Sequence, residues 1–100
     1  MSEITELLRR AGDGDEQALD AVFQSLYPEL RRLAQARVAR EGGSISPTVL
    51  VHEVYLRLAN SPGFGTRSHF LAVAAIAMRR TLIECARSQQ RLKRGGDLKR

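Results

Sequence analysis

Apolar residues recur every three or four positions within each segment of this chain and no strand pattern appears, which commits the fold to helices packed on helices. Ile4, Leu7, Leu8 and Ala11 share one helical face, Ser2 can cap that helix, and Gly12-Asp13-Gly14 ends it. Asp15 caps a second segment, in which Leu19, Val22, Phe23, Leu26, Leu30 and Leu33 keep the period as far as Gly42-Gly43. Pro28 sits inside that pattern and should kink or divide it. Ser46-Pro47 is a start signal for a third helix reaching to about Asn60, with Leu50, Val51, Val54, Tyr55 and Leu58 facing the core. A loop containing Pro62, Gly63 and Gly65 follows, and Ser68 is placed to cap a fourth helix running to about Arg94. The expected fold is all-α, a compact bundle of about four helices whose last member is long and basic.

A chain of 100 residues can build one core but not a core and a deep enclosed cleft, so a single small module is expected. The longest apolar run, Phe70 to Met78, is far too short to cross a bilayer, and the acidic start Met-Ser-Glu-Ile-Thr-Glu leads into no signal-type segment. A cytoplasmic protein without a membrane partner is the expectation. The single cysteine, Cys85, and two histidines offer neither a zinc cluster nor a nucleophile, base and orienting group, so no metal, cofactor or catalytic residue is expected. His52-Glu53 begins like a zinc-protease motif, but Leu56 stands where the second histidine is needed.

Charge is concentrated at one end. Eight of the 16 basic residues but only two of the 11 acidic ones lie in residues 79–100, and the preceding part is nearly neutral. Arg80, Arg87 and Arg91, spaced by seven and four, form one stripe on the fourth helix, with Arg79, Lys93 and Arg94 adding charge nearby. Ser88, Gln89 and Gln90 add side chains that hydrogen-bond bases or phosphates. Clustered cations of this kind are rewarded by phosphate neutralisation and counterion release, although the same pattern also describes a solvated face running into a tail. Phe64, between glycines and followed by Arg67 and His69, has the composition of a base-stacking loop and equally that of a loop phenylalanine turned onto the core.

The third helix places Val49, His52, Glu53, Leu56 and Arg57 opposite its core face. Apolar residues mixed with a histidine and charges suit a protein-docking patch, or a face covered by a neighbouring helix.

The stretch Thr48-Val49-Leu50-Val51-His52-Glu53-Val54-Tyr55-Leu56-Arg57-Leu58, followed by Ser68-His69-Phe70-Leu71-Ala72-Val73-Ala74-Ala75 and Met78-Arg79-Arg80, resembles bacterial extracytoplasmic-function (ECF) sigma factors. It is most similar to the subgroup with Leu-Val-His-Glu in place of Leu-Val-Gln-Glu. The resemblance covers essentially the whole chain and implies region two, the helical domain that docks on RNA polymerase and recognises and melts the promoter minus-ten element. It implies residues 1–94 as that domain and 95–100 as the start of a basic linker. Val49, His52, Glu53, Leu56 and Arg57 would meet the coiled coil of the polymerase beta-prime clamp. The loop carrying Phe64, Arg67 and His69 would capture a flipped base of the non-template strand. Arg79, Arg80, Arg87, Ser88, Arg91, Lys93 and Arg94 would hold that strand.

Two departures from the family pattern matter. The region-four domain that the family carries is expected to be absent after Arg100, as in a truncated piece or a protein with half the usual equipment, and in either case autonomous initiation is not expected. Before the Leu-Val motif the family usually carries acidic residues, and this chain has Ser46-Pro47-Thr48-Val49. Phosphorylation of Thr48, or secondarily Ser46, by a Ser/Thr kinase would restore negative charge at a helix N-terminus. An anti-sigma factor is a further expected partner. The rival expectation is an interaction module that occupies the clamp without opening DNA. A helix-turn-helix repressor is disfavoured, because no short turn joins two suitable helices near the basic segment.

Overall fold

Three polar side chains set where helices begin. The Asp15 carboxylate accepts the Ala18 N–H at 3.1 Å, the Ser46 hydroxyl accepts the Val49 N–H at 3.2 Å, and the Thr66 hydroxyl accepts the His69 N–H at 3.0 Å. A computed structural model describes residues 3–42, 45–59 and 63–98, with side chains as far as residue 90. In it, these caps open three of five helices: α1 (Glu3–Gly12), α2 (Glu16–Ser25), α3 (Tyr27–Glu41), α4 (Pro47–Leu58) and α5 (Arg67–Leu98). No strand forms among the described residues.

The differences from expectation are local. The second predicted segment is divided at Leu26, with Pro28 in the first turn of α3, where its missing N–H removes no intrahelical bond. Thr66, not Ser68, caps the last helix, and Ser68 lies within the first turn. That helix also continues through Gly95 and Gly96 to Leu98, where the linker was expected to begin. Ser2, the expected first cap, lies outside the described residues, as do Gly43, Asn60, Lys99 and Arg100.

All five helices and the loop before α5 contribute to one core, built around Leu8, Val22, Leu30, Leu50, Val54, Phe70 and Met78. A line of edge-to-face rings ties it together. Phe23 of α2 meets Tyr55 of α4 with centroids 5.2 Å apart and Phe70 of α5 at 5.5 Å, and Phe70 meets Phe64 of the loop at 5.1 Å. Such pairs contribute about 1 kcal/mol each beyond area burial. The buried Thr81 hydroxyl donates to the Ala77 carbonyl at 2.7 Å, so α5 buries no unsatisfied group there.

Ion pairs fix the position of α5 against α3. Arg67 lies 3.4 Å from Glu29 and Arg79 lies 3.9 Å from Glu41. Both the carboxylates and the arginines are separated by twelve positions, so the two helices run side by side in the same direction. The nearly unbroken apolar run from Phe70 to Met78 suggests a helix buried on every side. Instead, only the face carrying Phe70, Ala74 and Met78 is buried, and Ala72 and Ile76 are exposed.

The loop into α5 is held by a backbone contact. Gly63 has φ +118°, and a Cβ built on it would lie 2.8 Å from the Gly12 Cα at the end of α1. Only glycine accommodates both the conformation and the contact.

Candidate functional site

Two outward surfaces meet along the α4–α5 boundary. On α4, the core residues Leu50, Val51, Val54 and Leu58 leave Val49, His52 and Leu56 on the opposite side, with Val49 48% and Leu56 50% exposed. Glu53 is half-buried and Arg57 lies at the edge nearest α5. The face is therefore not covered by a neighbouring helix among the described residues. Of the five residues expected there, Val49, His52 and Leu56 form the open part, while Arg57 turns to α5 and binds Glu84 through both guanidinium nitrogens. The hydrogen bond from Arg57 lowers the Glu84 carboxyl below its ordinary range, and Glu84 raises the guanidinium.

Beside this face a groove of about 530 Å³ opens between the α2–α3 junction and α4, lined by Phe23, Gln24, Tyr27, Thr48, Val51, His52 and Tyr55. Thr48 is exposed in the first turn of α4, whereas the Ser46 hydroxyl is occupied by its cap bond. The Tyr55 hydroxyl donates to Asp20 Oδ1 across the groove, and that bond to a carboxylate raises the phenol's pKa. Gln24 and Tyr27 were missed by the sequence reading. They come from the end of α2 and the start of α3, and only the break before Pro28 marks the spot in the sequence.

On α5, Arg79, Arg80 and Arg87 are exposed. Arg79 pairs with Glu41, while Arg80 and Arg87 have no carboxylate within ion-pair distance among the described residues. Ser88 faces a cleft shared with Ile45, Glu53, Arg57 and Cys85 and so lies toward α4, to one side of the arginine stripe. The side chains of Arg91, Lys93 and Arg94 lie outside the described residues. Glu84, one of the two acidic residues of the basic end, borders the stripe one turn from both Arg80 and Arg87.

Of the two placements open for Phe64 in the loop, the one turned onto the core is adopted. Phe64 is only 8% exposed and packs edge-on against Phe70, so its ring is not the open stacking platform that the flanking glycines suggested. Gly63 against Gly12 holds the loop close to the body, and the ring gains more from the core than from solvent. His69 Nδ1 accepts the Gly65 N–H at 3.2 Å, and Arg67 pairs with Glu29, so both polar residues of the loop also serve its conformation.

No helix of the described residues is long and apolar enough to cross a membrane, and no group of three or more His, Cys, Asp or Glu side chains is placed to hold a metal ion. No curated protein and no solved structure gives a significant match to the chain. The family model for the ECF sigma factor matches residues 1–100. An all-helical body bearing an open apolar patch and a separate cationic stripe agrees with that match over the whole length: the chain belongs to the ECF sigma factor family, whose members act in transcription initiation.

Proposed function

We propose that residues 1–94 act as a region-two module, docking on the RNA polymerase beta-prime clamp through Val49, His52, Glu53 and Leu56 of α4. The same module holds the melted non-template strand of the minus-ten element along α5. The observation that carries this reading is the division of labour between adjacent faces. Among the described residues, exposed aliphatic side chains without a cover lie on α4, and Arg80 and Arg87, with no carboxylate within ion-pair distance, lie on α5. Apolar anchors suit a protein partner, and unpaired guanidinium groups suit phosphates.

Thr48 is the proposed phosphorylation site of this docking face. A phosphate there would stand in the first turn of α4, at the positive end of the helix dipole. Modifying Ser46 instead would disturb the hydroxyl that caps Val49. A Ser/Thr kinase and an anti-sigma factor are the regulatory partners this reading calls for.

The burial of Phe64 favours one second reading, a module that occupies the clamp without opening DNA, because the expected stacking ring is not presented. A single titration separates face from strand. Wild-type protein and a Leu56→Glu variant are titrated with a beta-prime clamp fragment and with a minus-ten single strand. Loss of clamp binding with strand binding intact supports the two-face assignment. Unchanged clamp binding removes α4 from it, and no strand binding by the wild type leaves the clamp-occupying module.

A further inference from the structure

The exposed side of α5 is not purely cationic. Ile76 is 54% exposed and Ile83 36% exposed, and both lie on the line of Arg80 and Arg87. At about 100° per residue the positions 76, 80, 83 and 87 fall within about 60° of one another, so the order down the helix is Ile, Arg, Ile, Arg. Nothing among the described residues covers either isoleucine. Their neighbours on α5 include Ala72 and Arg79, and the carboxylate at the edge, Glu84, is held by Arg57.

That alternation discriminates between partner types. Protein-docking patches set apolar groups in a centre with charges around the rim. Here the cations lie among the apolar groups on one face, and a nucleic-acid strand likewise presents phosphates beside its bases. Phe64 being packed inward, these are the exposed apolar groups best placed to meet a base.

We propose that Ile76 and Ile83 form an apolar base-contact strip on α5 that takes the methyl groups of unstacked thymines while Arg80 and Arg87 hold the intervening phosphates. The proposal rests on the strand-binding reading above and names the base chemistry that α5 selects. Thymine is singled out because it is the base whose edge carries a methyl group, and an aliphatic contact rewards that methyl without leaving a polar edge unpaired.

The test uses short deoxythymidine, deoxyuridine and abasic oligonucleotides, bound to the 100-residue chain and to an Ile76→Ala/Ile83→Ala variant. Alanine on an exposed helical surface preserves the fold, which circular dichroism verifies. The expected result is tighter binding of deoxythymidine than deoxyuridine by about fourfold for each methyl group buried. The variant should lose that preference and keep the wild-type affinity for the abasic strand. Equal wild-type affinity for the thymine and uracil strands, or an equal loss by the variant on all three, overturns the proposal while leaving strand binding intact. Failure of the wild type to bind any of the three overturns the strand-binding reading itself.

Discussion

Arg57 of α4 and Glu84 of α5 are joined by a two-pronged ion pair that neutralises the carboxylate at the edge of the arginine stripe. Left unpaired, Glu84 would repel phosphate beside Arg80 and Arg87. Arg57→Ala should therefore weaken single-strand binding, most clearly at low salt. Glu84→Gln should strengthen it, and the double variant should bind more tightly than Arg57→Ala alone. A double-mutant cycle of strand affinities measures the coupling. Additive effects would mean that the pair is not a unit on this surface.

The bond from the Tyr55 hydroxyl to Asp20 predicts an alkaline transition. The folded phenol titrates above its usual value of about 10, because ionising it loses the bond and places two negative charges together. Its contribution to stability is thus complete below that usual value and disappears as pH rises through the higher folded value. Ultraviolet titration should show one of the two tyrosines ionising late, and Asp20→Asn should bring it back toward the ordinary range.

Phe64→Ala should destabilise the fold by about 3 kcal/mol in urea denaturation, since it removes a buried ring from the aromatic line. Gly63→Ala should also destabilise, by more than about 1 kcal/mol, through its positive φ and the approach to Gly12. Strand-binding assays of Phe64 variants therefore need conditions under which each variant is fully folded.

Ser46→Ala should lower stability by about 1 kcal/mol through loss of the cap to Val49, with no such cost for Thr48→Ala. Thr48→Glu, which places negative charge at the helix N-terminus, should tighten clamp binding several-fold without loss of stability. Clamp binding no better than wild type would remove Thr48 as the control point.

Much of the architecture was legible because it depends on local rules. The caps at Asp15 and Ser46, the helical period and the division near Pro28 each need only a few neighbouring residues. The outward direction of Val49, His52 and Leu56 followed from the opposing core residues of the same helix. What could not be read was set by contacts between distant segments. Phe64 is turned inward by Gly63 meeting Gly12 and by Phe70, and Arg57 is drawn aside by Glu84, 27 positions later. Arg67 and Arg79 looked like free cations in a basic segment, yet α3 supplies a carboxylate to each. The exposure of Ile76 and Ile83 was hidden in a run that looked apolar on every side.

The central claim is that Arg80 and Arg87 grip a single strand along α5, and the salt dependence of strand affinity tests it most directly. Fluorescence anisotropy with a minus-ten single strand, over a series of salt concentrations, should give a slope of log affinity against log salt. The Arg80→Ala/Arg87→Ala variant should be shallower than wild type by about 0.7 for each phosphate contact removed. A variant whose affinity falls with no change in slope, or whose affinity does not fall, would contradict the account.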